Sequence, residues 1–359
     1  MAPRGPLRYH PPVHDPPRSA DVIIVGAGIA GLACAGALVD AGRRVIVVDK
    51  ARGVGGRCAT RRFLGDQPVD HGLAFLHGAD PAFLAAIEAA AAYPGDLVEW
   101  PVLVEGRGRP CQPRAFSPHE RRLAFRGGLT AFPKALARGL DLRLEARALA
   151  LAPGAVTTDR GVLHAPDLVI TAPAPQALDL LAGLPPTPER DATAQLLGLM
   201  VAVPCLSLVV GYPADRPAPP WDLLYPEDGP LTLVAHDSRK RLRPAHHALV
   251  LQATPRWSRA HLEEPSETWS AALLAEAASH LGLPPLADLA FVHPHRWRYA
   301  RLDGPSQLAA PILYYVDEER RVGVAGEAFA PGGGVQAAWL SGQELASRLL
   351  HGAPPPAAP

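Results

Sequence analysis

A short glycine-rich turn between two apolar segments constrains the fold more than any other part of this sequence. Asp21-Val-Ile-Ile-Val25 has the composition of a strand buried on both faces, and Gly26-Ala-Gly-Ile-Ala-Gly31 follows it directly. An apolar helical stretch then runs from Ile29 to Ala41, with Gly42 as a candidate C-cap, and a second strand runs from Arg44 to Val48. The segment fits the roughly thirty residues of a βαβ unit, so we predict an α/β fold of the Rossmann type.

Each special residue of this unit has a physical role in binding a dinucleotide. Gly26 allows a tight turn, Gly28 lets the backbone approach a pyrophosphate, and Gly31 lets the helix pack close to the strand. The helix N-terminus offers unpaired N–H groups and a partial positive charge, worth ~0.3–1 kcal/mol for each favourable charge. Asp49, at the end of the second strand, would accept from ribose hydroxyls and repel a 2′-phosphate. These features predict FAD or NAD rather than NADP.

A second glycine motif narrows this choice to FAD. Arg52-Gly-Val-Gly-Gly-Arg57 lets another backbone segment and a guanidinium reach the same pyrophosphate. Nicotinamide dehydrogenases do not usually carry this addition, and the motif resembles the second glycine motif of FAD-dependent amine oxidases and their relatives. Monoamine oxidases attach FAD through a cysteine in the C-terminal part of the chain, whereas no cysteine follows Cys205 here. We therefore expect FAD to be held without a covalent bond.

Length and composition limit the other possibilities. A chain of 359 residues predicts about two domains, and a hydrophobic fraction of 48% is that of a globular protein. The formal net charge of zero gives no electrostatic argument for a nucleic acid or an anionic membrane, and no apolar run reaches the ~20 residues of a membrane span. The cysteines lack metal-ligand spacing, so no metal is expected. Residues 1–19 lack the apolar core of a signal peptide, which indicates a cytoplasmic protein.

The order of the predicted elements indicates two interleaved domains between a disordered extension, residues 1–19, and a disordered tail, residues 352–359. We assign residues 20–72, 120–175 and 312–351 to a discontinuous FAD-binding domain of the GR2 type. Residues 73–119 and 176–311 form an α+β substrate domain, an antiparallel sheet plus helices. Strands are predicted at 97–104, 114–116, 141–151, 156–158, 162–164, 167–170, 201–212, 231–235, 248–253, 289–297, 312–316 and 322–325. Helices are predicted at 81–92, 129–138, from about 176, at 267–281 and at 335–350.

Further sequence blocks resemble the renalase-like branch of the FAD-dependent amine oxidase superfamily, and the resemblance runs from about Ala20 to Leu350. The blocks are Asp70-His-Gly72, Thr171-Ala-Pro-Ala-Pro175, Ala253-Thr-Pro-Arg-Trp-Ser-Arg259, His295-Arg-Trp-Arg-Tyr-Ala-Arg301 and Ala338-Trp-Leu-Ser-Gly342. The resemblance implies a flavoprotein that oxidises dihydronicotinamide isomers of NAD(P)H and passes the electrons to O2. A nicotinamide nucleotide would then be a small-molecule substrate, because the chain has a single dinucleotide motif. Gln252 and Glu327 depart from the family pattern, which has His and Asp there.

Other functions remain open. One alternative is a flavin amine oxidase or a desaturase, and another is a non-catalytic flavin-binding protein that serves as a redox sensor. The flavin of a sensor should not be reduced by any small donor on a catalytic timescale, so reduction by small donors separates the two classes.

The candidate site residues fall into two sets. The cofactor-binding set is Gly26, Ala27, Gly28, Ile29, Ala30, Gly31, Asp49, Lys50, Arg52, Gly55, Gly56, Arg57, Ala148, Ala172, Pro173, Gly326, Glu327, Gly334 and Val335. The substrate-lining set is Trp297, Arg296, Tyr299, Gln252, Trp257 and His71, in which Arg296 and Tyr299 could hold a phosphate or carboxylate and Gln252 a carboxamide.

Ordinary structural roles compete with these assignments. Trp257 could equally be a core residue, and His71 a hydrogen-bonded turn residue. His236-Asp237 is expected to be a turn pair, and Lys240 a solvated loop charge. No acid–base residue is assigned, because hydride transfer from a dihydropyridine to flavin needs no protein base.

Overall fold

The computed structural model describes residues 18–281, 289–303 and 307–352. The disorder expected for residues 1–17 and 353–359 lies outside the described residues, whereas Ser19 forms a β-bridge with His164. The strands in chain order are β1 Val22–Val25, β2 Val45–Val48, β3 Thr60–Phe63, β4 Gln67–Asp70, β5 Leu76–Gly78, β6 Leu97–Glu99, β7 Val104–Glu105, β8 Arg121–Phe125, β9 Asp141–Arg143, β10 Ala148–Ala152, β11 Ala155–Thr158, β12 Gly161–His164, β13 Asp167–Ile170, β14 Val201–Pro213, β15 Leu223–Leu224, β16 Leu231–His236, β17 His246–Ala253, β18 Phe291–Asp303, β19 Ile312–Tyr315 and β20 Arg321–Val324. The α-helices are α1 Ile29–Asp40, α2 Pro81–Ala89, α3 Ala131–Leu136, α4 Ala174–Leu181, α5 Pro188–Gly198, α6 Pro255–Ala260, α7 Ser266–Leu281 and α8 Gly334–His351.

The first large sheet is the predicted α/β sheet. Its six strands have the order β19-β20-β13-β1-β2-β9, and all pairs are parallel except β19 with β20. The strand order reverses direction between β1 and β13, so a crevice opens outside their carboxyl ends, where open α/β sheets bind their ligands. Helices α1 and α8 cross closely beside this sheet, because a Cβ on Gly342 would lie only 2.2 Å from the Ala30 carbonyl oxygen. The crevice and α1 fix where a dinucleotide can bind.

The second large sheet has the order β18-β14-β17-β16-β15-β7 and is antiparallel except for the β15–β7 pair. Side chains alternate across its long central strand. Leu206 and Leu208 pack with Trp269 and Leu273 of α7, whereas Val209 packs in a different core cluster with Phe125. The sheet therefore has a helix-covered face and an opposite face that points to the rest of the molecule.

A buried ion network connects the β3–β4 hairpin to this sheet. The Lys240 Nζ lies 2.8 Å from Asp70 Oδ2 and 3.0 Å from Asp237 Oδ1, and it donates to the Ala74 carbonyl at 2.6 Å. Arg241 Nη2 lies 2.7 Å from the same two carboxylate oxygens. The prediction that Lys240 is a solvated loop charge is therefore wrong, since 1% of this residue is exposed.

Several predicted elements need correction. Residues 114–116 lie in a 3-10 helix, Pro113–Phe116, because a proline at its first turn suits a helix start and removes a strand donor. The single strand predicted at 141–151 is two strands, β9 and β10, which lie in different sheets. Strand β18 continues to Asp303, so Trp297 lies inside a strand and not at its end. Helices α5 and α6 were not predicted, although each has a threonine N-cap followed by a proline.

None of the helices in the described part of the chain has the length and apolarity needed to cross a lipid bilayer.

Candidate functional site

The first glycine turn forms the floor of the crevice. Gly26 has φ +116°, and a Cβ on Gly31 would lie 2.0 Å from the Gly26 carbonyl oxygen. The Thr171 hydroxyl, from the loop after β13, donates to the Gly26 carbonyl at 3.0 Å. By contrast, Gly28 has φ −76°, and no atom lies within 4 Å of the position of a Cβ there. Gly26 and Gly31 are therefore required by the fold, whereas Gly28 leaves open the space that a pyrophosphate would fill.

Asp49 holds this turn in place. One carboxylate oxygen accepts from the Ala27 N–H and the other from the Ala51 N–H, both at 2.7 Å. Each oxygen keeps a second lone pair, so the half-buried carboxylate can still accept from ribose hydroxyls.

The second glycine turn lies against the first. The Gly55 N–H donates to the Ala27 carbonyl at 2.8 Å, and Gly55 and Gly56 have φ +98° and +52°. A Cβ on Gly56 would meet no atom within 4 Å, as at Gly28. The two turns thus line one crevice with open backbone, and the residues present fit the two phosphates of FAD.

Arg57 connects this crevice to the second large sheet. Its Nη1 lies 2.7 Å from Glu327 Oε1 and donates to the Ala300 carbonyl of β18 at 2.9 Å. Its own carbonyl accepts from the Leu73 N–H at 2.9 Å. Burial opposes the charge on Arg57, but the Glu327 carboxylate raises its pKa above the ordinary value. Because Glu327 pairs with Arg57, the two proposed cofactor residues stabilise one another.

A third glycine loop precedes α8. Gly332, Gly333 and Gly334 have φ values of +94°, +65° and +72°, so the chain can turn sharply into the helix. Gly326 is held from the side by Ser341, whose hydroxyl donates to the Gly326 carbonyl at 2.9 Å. The N-terminus of α8 supplies unpaired N–H groups at this end of the site.

The remaining members of the proposed cofactor set lie along the same domain. Ala172 and Pro173 follow β13 at the crevice, and Lys50 and Arg52 are exposed after β2. Ala27, Ile29 and Ala30 are buried at the N-terminus of α1, and Val335 is buried at the N-terminus of α8. Ala148 lies outside the large sheet, at the start of β10.

The face of the second large sheet that is not covered by helices contacts the Asp70-His-Gly72 block. Trp297 Nε1 donates to the His71 carbonyl at 3.2 Å, and Gln252 Nε2 donates to the Gly72 carbonyl at 2.5 Å. The His71 ring lies 4.7 Å from the His295 ring and 5.5 Å from the Trp297 indole, between centroids. Three of the six proposed substrate-lining residues, His71, Gln252 and Trp297, are therefore brought together.

The histidines of this face are uncharged at neutral pH. Burial, with neighbouring histidines as a second cause, lowers the pKa of His71 to about 3 and that of His295 to about 4. The exposed Arg61 contributes to both shifts, and burial also lowers the pKa of His293. No group of three or more His, Cys, Asp or Glu side chains in the described ranges is placed to hold a metal ion.

The other three proposed residues lie elsewhere. Arg296 pairs with Leu206 across the strands, and its Nη2 donates to the Glu264 carbonyl at 2.6 Å on the helix-covered face. Trp257 lies in α6 and stacks on His261 at 4.0 Å between ring centroids, beside the core of that face. Tyr299 is half-buried in the irregular stretch of β18 after Trp297.

Sequence reasoning missed polar residues around the site. Ser207 donates its hydroxyl to the His71 carbonyl at 2.9 Å, and a buried His77–Glu120 pair lies beside the α8 loop. Side chains alternate between the two faces of a strand. This alternation could have placed Ser207 on the site face, and it places Arg296 on the face opposite to that of Trp297. No local pattern marks the partner of His77, because Glu120 is 43 residues away.

Comparisons with known proteins agree with this architecture. A family model described as an NAD(P)-binding Rossmann-like domain matches residues 24–89. A Mycobacterium tuberculosis protein described as a flavin-containing monoamine oxidase, AofH, is 42% identical over 79 residues. That match covers 22% of this chain and 17% of the relative, so it reaches less than a fifth of the relative's length.

Solved structures show the fold over nearly the whole chain. A crystal structure described as a protoporphyrinogen oxidase, from Exiguobacterium sp. 255-15, superposes with a TM-score of 0.69 at 16% identity, covering 91% of this chain and 98% of that one. Reduced UDP-galactopyranose mutase gives 0.68 at 14% identity, with 93% and 94% coverage. Putrescine oxidase bound to putrescine gives 0.62 at 14% identity, with 92% and 99% coverage. The chain thus combines a segment that matches an NAD(P)-binding Rossmann-like domain with the overall fold of these three solved structures, and its paired glycine turns fit FAD.

Proposed function

We propose that this chain is an FAD-dependent oxidase of a small amine, with O2 as the electron acceptor. FAD, when bound, supplies the hydride acceptor. The α1 N-terminus and the two glycine turns would hold its pyrophosphate, Asp49 its ribose, and the loop before α8 the far end of the cofactor. The chain's own contribution is to position the donor beside that end and to exclude water.

One observation favours an amine over a phosphate-bearing nucleotide. The face beside Gly72 presents neutral histidines, an indole and an amide, while Arg296 donates to the Glu264 carbonyl on the opposite face of the sheet. Arg298 is held by the Glu263 carboxylate, whose Oε2 accepts from its Nη2 at 2.8 Å. The two arginines that flank Trp297 in sequence are thus engaged away from this face, and the cation that acts on its histidines is the exposed Arg61 of β3.

The second candidate is the oxidation of dihydronicotinamide isomers, with a nicotinamide nucleotide as substrate. It is supported by the resemblance of the Trp257, Trp297 and Trp339 blocks to the renalase-like branch. The geometry adds that Trp297 and Gln252 share one face, where an aromatic plane and an amide could hold a carboxamide-bearing ring. A positioning residue for such a ring needs no acid–base function.

Anaerobic reduction of the flavin separates these candidates. FAD-loaded protein should be mixed without oxygen with putrescine, benzylamine, 2- and 6-dihydronicotinamide isomers and ordinary NADH, and bleaching of the flavin absorbance followed. The proposal expects an amine to bleach the flavin fastest. Faster bleaching by a dihydronicotinamide isomer would establish the second candidate. If no donor bleaches the flavin, the non-catalytic redox sensor is the better description.

A further inference from the structure

A buried histidine and glutamate form a pair that neither the cofactor site nor the substrate face uses. His77 lies in β5 and Glu120 immediately before β8, and His77 Nδ1 is 2.9 Å from Glu120 Oε2. The residues are 6% and 8% exposed. The other Glu120 oxygen accepts from Arg114 Nε at 2.9 Å, and the Arg114 side chain is 48% exposed. The pair is thus buried, with one charged neighbour that reaches the surface.

The free nitrogen of His77 points to the loop that opens α8. His77 Nε2 lies 3.5 Å from the position of a Cβ on Gly334, and no hydrogen bond to this nitrogen is present among the described residues. Strand β5 is fixed to α8 because Gln336 Oε1 accepts from the Ala79 and Asp80 N–H groups at 2.7 and 2.8 Å. The imidazole of a buried residue is therefore held at the helix N-terminus of the proposed FAD site, with its Nε2 free of hydrogen bonds to the described residues.

The surroundings favour one tautomer of His77. The Glu120 carboxylate accepts the Nδ1–H, which leaves Nε2 with its lone pair, and the same carboxylate stabilises an imidazolium when Nε2 takes a proton. Two cations oppose that charge: Arg114, which pairs with Glu120, and Arg122, which lies opposite His77 in the β5–β8 pairing. His71 is unsuited to the same role, because its buried Nδ1 has no hydrogen-bond partner and burial lowers its pKa to about 3.

We propose that His77, oriented by Glu120, is the proton acceptor for the amine donor; this inference rests on the proposed function. A substrate R–CH2–NH3⁺ gives one N–H proton to His77 Nε2, which becomes an imidazolium, and leaves the neutral amine. FAD, when bound, would accept the hydride that leaves the carbon with the electron pair of the C–H bond, and the product would be R–CH=NH2⁺. The proton leaves His77 for solvent after product release.

The test compares His77→Gln and Glu120→Gln with a matched control, His236→Gln, which replaces another buried histidine far from β5. With putrescine or benzylamine, His77→Gln should slow anaerobic flavin reduction by about 10²–10⁴-fold, the usual contribution of a general base. Glu120→Gln should move the acidic limb of the rate–pH profile to lower pH, because the acceptor must be neutral to take the proton and loses the carboxylate that favours its charged form. Dithionite reduces flavin without deprotonation of a substrate, so the rate of reduction by dithionite should be the same in every variant.

A second readout does not depend on turnover. Nitrogen-15 NMR of the labelled full chain, with and without FAD, should show His77 in the Nδ1–H tautomer, and Glu120→Gln should weaken that preference. An Nε2–H tautomer, or equal amine reduction in wild type and His77→Gln, would overturn the role of His77 alone. If wild-type protein binds FAD but no amine reduces it, the proposed function itself has failed, and the proton-acceptor role fails with it.

Discussion

Replacing Lys240 with methionine should destabilise the protein more than any change of a surface lysine. Methionine keeps the length and much of the apolar stem of lysine, so the packing under Trp100, whose ring centroid is 4.6 Å from Nζ, is largely retained. The charge balance is not retained. The wild-type network has the carboxylates of Asp70 and Asp237 facing the cations of Lys240 and Arg241, all buried.

The magnitude follows from what is left behind. In Lys240→Met, two buried carboxylates share one guanidinium, and removing one partner of a buried pair costs about 3–5 kcal/mol. The Ala74 carbonyl also loses its donor, and an unsatisfied buried acceptor costs about 1–3 kcal/mol. The two costs are not added, because both result from the loss of the same ammonium group. The expected loss is therefore about 3–5 kcal/mol, a large part of the ~5–15 kcal/mol that stabilises a typical domain.

Urea unfolding followed by circular dichroism measures this loss. The matched control is Lys134→Met on the exposed side of α3, which should change the free energy of unfolding by no more than about 0.5 kcal/mol. The double variant Lys240→Met, Asp237→Asn restores neutrality and should recover part of the loss. A Lys240→Met variant as stable as the control, or a double variant no better than the single one, would refute the electrostatic reasoning.

Three further predictions concern the cofactor and the histidines. Gly28→Val should lose FAD while keeping the fold, whereas Gly36→Val, inside α1 with open space around it, should keep both; flavin absorbance and circular dichroism after purification check this. Acid precipitation of the holoprotein should release all flavin colour to the supernatant, and colour in the pellet would show a covalent bond. Because the pKa of His71 falls from 6.5 to about 3 on folding, the unfolded chain binds the extra proton between these values. The free energy of unfolding should therefore decrease as pH falls below 6.5, by up to about 1.4 kcal/mol per pH unit for this group, and His71→Gln should flatten the decrease.

The dinucleotide-binding half could be read from sequence because its signals are local. A β-branched run, a glycine turn and a terminal acid lie within thirty residues, and the structure places β1, α1 and β2 within one residue of the predicted bounds. Two glycines also have the structural roles predicted for them. Gly26 adopts a left-handed conformation in the turn, and Gly31 has no room for a side chain.

The substrate half was less predictable because its partners are far apart in sequence. Lys240, in a run of charged residues, has the pattern of a solvated loop, whereas one of the carboxylates it pairs with in the core, Asp70, lies 170 positions earlier. The placement of Arg296 was predictable, since strand alternation sends it and Trp297 to opposite faces. The packing of Trp257 on the helical face was not, because helix α6 itself had not been recognised.

The crossing of α1 and α8 makes the proposed FAD site depend on a late segment of the chain. Helix α1 carries the pyrophosphate turn at its start, and Gly342 lets α8, about 300 residues later, pack directly on the Ala30 carbonyl. During synthesis, α1 therefore leaves the ribosome long before the helix that covers it. Its apolar surface, including Ala30 and Ala33, stays uncovered until α8 arrives. The cofactor site is thus assembled late, and a nascent chain that stops before Gly334 should expose this surface to chaperones and bind no flavin.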